Sequence, residues 1–206
     1  MARMEAIAIV NTIPQDHLGG APIEKGMWLM ETIIRNRLKN CVEIGVWRGR
    51  SFIPILVATK YIGGHTVGID PYTAEAMNES EVPQTVLTNL PELIRMTDFE
   101  KVYNQLQTTL QTKFNRNHYT FLRKLARNAV TDIRFAIDLI HIDGNHDRDA
   151  VALDIALYVP KVKSGGWIIL DDTDWPSVNS TLKSLHAHNA RQVSDFGWWQ
   201  AWQKSL

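Results

Sequence analysis

The feature of this chain that most restricts its fold is a series of short, nearly unbroken apolar runs that finish in acids. "HTVGID" ends in Asp70, "AIDLIHID" in Asp143 and "GGWIILDD" in Asp171 and Asp172, while "CVEIGV" carries Glu43 near its end. Runs this short, rich in β-branched residues and bounded by glycine and aspartate, predict strands buried on both faces. Segments with helical spacing lie between them. Residues 21–40 place Met27, Met30, Ile33, Ile34 and Leu38 on one stripe. Further helices are expected over 51–61, 97–114 with Thr97 or Asp98 as cap, 124–131, 147–158 and 175–188. "HYTFLR", "RQVSDF" and "WWQAW" read as additional strands. Strands alternating with helices mean a doubly wound α/β fold: a mostly parallel sheet covered by helices on both faces.

Nothing along the 206 residues marks a domain boundary, so one domain spanning 1–206 is expected. Residues 1–40 form an N-terminal helical segment. Residues 73–118 combine an insertion, irregular over 73–97, with a helix, and are a candidate lid or substrate region. Lysine plus arginine balance aspartate plus glutamate at 22 each, so no overall field favours nucleic acid or a lipid surface as partner. The single cysteine, Cys41, has no disulfide partner in the chain, and no apolar stretch is long enough to span a bilayer. A cytoplasmic protein acting on a small molecule is the expectation.

In doubly wound sheets, ligands sit beyond the carboxyl ends of the strands, so the strand ends hold the functional question. Like charges collected along one edge repel, unless cations or hydrogen-bond donors offset them. The first strand runs into "EIGVWRGRS", where Gly45 permits a tight turn and Gly49 lets the backbone approach a ligand or the sheet. Trp47 stands where a dinucleotide-binding fingerprint has its middle glycine, which disfavours NAD.

This loop, Glu43-x-Gly45-x-x-x-Gly49-x-Ser51 with Asp70 at the next strand end, resembles motif I of the class I S-adenosylmethionine-dependent methyltransferases. The stretch "IDLIHIDGNHDRDAVALDIALYVPKVKSGGWIILDD" is similar to the C-terminal half of a subgroup containing small-molecule and macrolide-sugar O-methyltransferases and cephalosporin-hydroxylase-like proteins, the methyltransferase 24 type. The resemblance covers about Cys41 to Asp172, with a poor match over 73–118. It implies a Rossmann-like fold that binds S-adenosylmethionine through Glu43, Gly45, Gly49, Ser51, Asp70 and Asp143, with Asp70 on the ribose hydroxyls. It further implies a divalent metal such as Mg²⁺ on Asp143, Asp171 and Asp172, whose hard oxygens suit that ion. Asp143 and His146 then carry catalysis, His146 as the base that takes the proton of the attacking hydroxyl. The implied reaction is metal-assisted O-methylation of a small hydroxylated metabolite. A methyltransferase without metal and a non-catalytic cofactor-binding scaffold are the alternatives.

Plainer roles compete at several positions. Thr173 or Asp174 suits the cap of the helix beginning near Pro176. Asp147, Asp149 and Asp154 read as a solvated helix face, His141 as a satisfied core histidine, and Glu43 as a partly buried acid. In the family pattern a polar group after the third strand touches adenine. Here the stretch is "KLARNAV", with Arg127 or Asn128 as substitutes. Of the seven tryptophans, Trp198, Trp199 and Trp202 fit an aromatic wall over the ligand, a closing hairpin or the surface of a homo-oligomer.

Overall fold

The structure, a computed structural model, describes residues 1–14 and 20–206. The apolar runs become strands β1 (Asn40–Ile44), β2 (His65–Ile69), β4 (Ile137–Ile142) and β5 (Val162–Leu170), joined by β3 (Tyr119–Leu122), β6 (Ala190–Asp195) and β7 (Gln200–Lys204). They form one seven-stranded sheet in the order β3-β2-β1-β4-β5-β7-β6. Strands β1 to β5 are parallel, and β7 runs antiparallel to both its neighbours. Strand order reverses between β1 and β4, the place where such sheets open a crevice.

Helices α1 (Ala2–Val10), α2 (Ile23–Asn36) and α3 (Phe52–Tyr61) cover one face. The insertion contributes α4 (Ala74–Met77), α5 (Gln84–Leu87) and α6 (Leu90–Met96), followed by α7 (Phe99–Lys113). The other face carries α8 (Ala126–Ala129), α9 (Arg148–Tyr158), α10 (Pro176–Asn179) and α11 (Ser184–Ala187). Two buried clusters result. One is built around Met30, Ile33, Leu56, Leu106 and Leu110, the other around Ile137, Ile140, Val151, Ile155 and Leu185. Among the described residues no helix is long and apolar enough to cross a membrane.

The structure decides three local expectations, choosing between the two caps offered for α7 and overturning the other two. Asp98, not Thr97, caps α7, accepting from the Lys101 amide at 2.9 Å. The helix expected over 175–188 is instead two single turns, because hydroxyls between them bond back to the chain. Ser180 donates to the Ser177 carbonyl and Thr181 to the Val178 carbonyl, both at 2.7 Å, which competes with helix propagation. Neither Thr173 nor Asp174 caps α10, whose first flanking residue is Trp175.

Backbone pairing continues past the strand ends and sets the acids side by side. The Gly45 amide donates to the Ile69 carbonyl, Asp143 to Ile44 and Asp171 to Ile142, at 2.9, 2.9 and 3.1 Å.

Candidate active site

The loop after β1 is held in a conformation that few residues adopt. Gly45 and Gly49 have φ of 81° and 88°, and between them Trp47 has φ of 47°. A Cβ at Gly45 would stand 1.7 Å from the Asp143 carbonyl oxygen, so only glycine lets β1 and β4 approach at the switch point. Tyr72 and Asp172 also lie at positive φ, 52° and 48°. Such strain gathers at functional sites, where surrounding contacts over-determine it.

Asp70 holds the loop in place. Its Oδ2 accepts the Val46 and Trp47 amides at 3.1 and 2.9 Å, and its Oδ1 accepts the Tyr72 amide at 2.8 Å. Burial raises its pKa against these hydrogen bonds. A carboxylate offers about four lone-pair positions, and three backbone amides occupy three of them. The Tyr72 hydroxyl bonds the Trp47 carbonyl, and the two rings stack at 6.5 Å.

The acids at β4 and β5 are offset by protein cations. Lys25, 1% exposed on α2, pairs with Asp171 and lies 5.1 Å from the Trp198 ring centroid. Burial is the largest influence on Asp171 and works to raise its pKa, but Lys25, His141 and a hydrogen bond with Asp143 together hold the carboxyl below its ordinary value. Asp143 is pushed up to about 8, by burial first and by the Asp171 charge next. Burial pushes Asp172 up to about 6.

His146 is the second cation. Its Nε2 lies 3.1 Å from Asp172 Oδ2 and 3.6 Å from Asp143 Oδ1, and its Nδ1 lies 2.8 Å from Glu79 Oε1. Burial alone would lower its pKa, but Asp143, Glu79 and Asp172 together raise it well above 6.5. The ring meets Trp175 edge-on at 5.1 Å. Sequence reasoning missed both Lys25 and Glu79. Neither sits in a motif, and both reach the site from elements far away in the chain.

Asp143, His146 and Asp172 bring their ligand atoms within 4.8 Å of one another. His146 Nε2 is buried without a well-formed hydrogen bond. This donor set fits a divalent ion, whereas the Asp171 carboxylate of the expected trio is turned to Lys25. Glu43 is fully buried and does not line the cavity. It takes a hydrogen bond from Ser51 and contacts His141 Nδ1 at 2.9 Å, and burial raises its pKa well above the carboxylate range. His141 is neutral, its pKa lowered by burial. It is only half satisfied, its Nε2 standing 3.9 Å from both Asp143 and Asp171.

A cavity of about 1030 Å³ runs along these strand ends from Trp175 and Trp198 past Gly45, Ser51 and Asp70 to Leu125 and Arg127. The insertion roofs it through Thr73, Met77, Val86 and Leu93. It is tied down by the loop after β4. The Asp147 carboxylate accepts the Ser80 amide and hydroxyl and the Glu81 amide at 2.7 to 3.0 Å, and Asn145 donates to the Ala76 and Asn78 carbonyls. Asp147 is thus a latch rather than part of a solvated face, and Asp154 is buried at 7% exposure; Asp149 alone of the three is exposed. Arg127 lines the cavity and Asn128 does not. Trp199 and Trp202 are buried in this chain's own cores, and Trp198 lines the cavity.

Comparison with known proteins agrees with this architecture. A family model described as Methyltransferase domain, the methyltransferase 24 type, matches residues 42–173. Among solved structures, the O-methyltransferase NovP superposes with a TM-score of 0.71 at 14% identity, covering 100% of each chain. The O-methyltransferase from Bacillus cereus in complex with SAH gives 0.64 at 15% identity, over 98% of this chain and 90% of that one. TomG from Streptomyces achromogenes, an O-methyltransferase of tomaymycin synthesis in complex with SAM, gives 0.62 at 10% identity, over 100% and 90%. At these identities the likeness is one of fold. No curated protein matches the sequence. The family match spans the glycine loop, Asp70, the insertion and all three acids at β4 and β5, and on that ground the chain belongs to the class I S-adenosylmethionine-dependent methyltransferases of the methyltransferase 24 type.

Proposed function

We propose that this protein methylates a hydroxyl oxygen of a small metabolite, with the neutral form of His146, reached when the imidazolium that Asp143, Glu79 and Asp172 stabilise gives up its Nε2 proton, as the group that accepts the hydroxyl proton. The observation that carries the reading is the orientation of His146. Glu79 binds Nδ1, which leaves Nε2 facing Asp143 and Asp172 in the cavity beside Gly45. A carboxylate on one ring nitrogen fixes the tautomer and strengthens the other nitrogen as a base. S-adenosylmethionine, when bound, supplies a methyl group activated by its sulfonium. The residues fitted to hold it are Gly45 and Ser51 along the loop, with Asp70 at the ribose; Gly49, expected to join them, does not line the cavity and instead lets the loop pack against Leu106. Glu43 supports from behind through Ser51 and His141. Trp175 and Trp198 form apolar walls that exclude water and suit a flat or ring-shaped acceptor.

The metal-assisted form of this reading assigns Asp143 and Asp172 as carboxylate ligands. A hard ion such as Mg²⁺ is commonly held by one or two carboxylates with remaining positions left to water and substrate; there it would lower the pKa of the acceptor hydroxyl. A softer ion would recruit His146 as ligand and silence the base. A second reading, transfer without metal, is favoured by a specific observation. Lys25 and His146 already offset the acids that a metal would otherwise neutralise.

The test is methyl transfer from S-adenosylmethionine to a panel of catechols and sugar diols, with and without chelator, by wild type and His146→Ala. We expect turnover by wild type and a loss of about 10²-fold or more in kcat for the variant with cofactor affinity retained. Abolition by chelator and recovery with Mg²⁺ would select the metal-assisted form, and full activity in chelator the metal-free one. Equal turnover by His146→Ala would sink the assignment of the base.

A further inference from the structure

One acid in the cavity is left unused by the reading above. Asp154, in the second turn of α9, is 7% exposed and lines the cavity, yet its carboxyl has neither a hydrogen-bond donor nor a cation among the described residues. A buried acid without a partner is costly, and an acid facing a cavity finds its partner in whatever fills that cavity. Burial, with no opposing cause, pushes its pKa up to about 7, so the neutral acid is well populated near neutral pH.

The position of Asp154 indicates which part of the cofactor it meets. It precedes Tyr158 by one turn, and the Tyr158 hydroxyl donates to the Ala126 carbonyl at 2.7 Å. Its Oδ2 lies 3.7 Å from where a Cβ on Gly144 would stand. The carboxyl therefore lies between the start of α8 and the loop after β4. Around it the cavity wall is Leu125, Ala126, Ala150 and Leu153, apolar side chains suited to the faces of a flat ring. The sulfonium belongs beside Gly45 and His146 and the ribose at Asp70, which leaves the base for this end. The stretch after β3 presents Leu125 and Ala126 there, neither with a polar side chain, and Arg127, which also lines the cavity, carries donors only and so offers no acceptor for an amino group.

We propose that Asp154 recognises the adenine edge of the cofactor, accepting a hydrogen bond from the exocyclic 6-amino group and, as the neutral acid, donating one to the adjacent ring nitrogen. The inference rests on the cofactor reading given above. An acid that offers acceptor and donor side by side matches the donor and acceptor that adenine presents along that edge.

The experiment is calorimetric titration with S-adenosylhomocysteine and with its purine analogue lacking the 6-amino group, on wild type, Asp154→Leu and Asp154→Asn. Wild type is expected to prefer the amino-bearing ligand by about tenfold, the size of one good hydrogen bond. Asp154→Leu is expected to bind both ligands weakly and alike, and Asp154→Asn, which keeps an acceptor, to retain most of the preference. A leucine variant that keeps the wild-type preference overturns the proposal. So does a wild type that binds both ligands equally, a result that needs no variant to fold. Failure of wild type to bind S-adenosylhomocysteine at all would instead strike the cofactor reading, and the proposal with it.

Discussion

Asp147, at the N-cap of α9, and Asp154, seven residues on within it, each do something that the side chain alone does not announce. Asp154 shares a face with Val151, Ile155 and Tyr158, all buried. That apolar spacing was present in the sequence and marks position 154 as inward-facing, a signal that the reading of a solvated face passed over. Its consequence is a pH-dependent stability with a definite sign. The folded-state pKa of about 7 exceeds the ordinary aspartate value near 3.9, so the fold favours the protonated form. That preference is fully present below about pH 4 and is lost as pH rises through 7. Asp154→Asn does not titrate. Its stability relative to wild type should be near zero at pH 4 and rise to the order of 3 kcal/mol in its favour at pH 8. Denaturant unfolding of both proteins at the two pH values checks this, and a difference that does not change with pH would refute it.

The insertion shows at the scale of elements why a segment with little periodicity still has a place. Its helices α4 and α5 are single turns with no buried residue, so packing alone holds them weakly. What fixes them is polar. Asp147 stands at the N-cap of α9 but does not cap it, because its carboxylate is given to Ser80 and Glu81. Glu79 is carried on the same strap and reaches His146. Asp147→Ala should therefore release residues 78–90 while leaving the sheet intact. Hydrogen exchange should quicken across that strap by the equivalent of about 1–2 kcal/mol of local opening, with β1 and β4 unchanged. Unaltered exchange would mean that Val82 and Leu90, both buried, suffice to hold the strap. The cap of α7 and the strand boundaries were legible because they depend on neighbours in sequence. The broken helix over 175–188 was not, because hydroxyl bonds to the local backbone override an apolar pattern.

Across the whole molecule, the site is assembled from parts that only the fold brings together. Lys25 and Asp171 are 146 residues apart, and their pairing ties the N-terminal helix layer to the tip of β5. Removing one partner of a buried pair leaves an uncompensated charge, so Lys25→Met should cost about 3–5 kcal/mol of stability. If Asp171 is within reach of a divalent ion at Asp143 and Asp172, added Mg²⁺ should restore part of that loss in a thermal melt of the variant, and a variant indifferent to Mg²⁺ would show that Asp171 stands outside the ion's reach. The sequence by itself determined the alternation of strands and helices, the glycine loop, the acids at the strand ends and the family they resemble. These follow from periodicity and from what each strand must do where it stops. Only the tertiary structure decided which acids are compensated and by what: Lys25 at Asp171, Glu79 behind His146, three backbone amides on Asp70 and, among the described residues, nothing on Asp154. Charge compensation is set by distances between side chains, and those distances belong to the packing of elements remote in sequence.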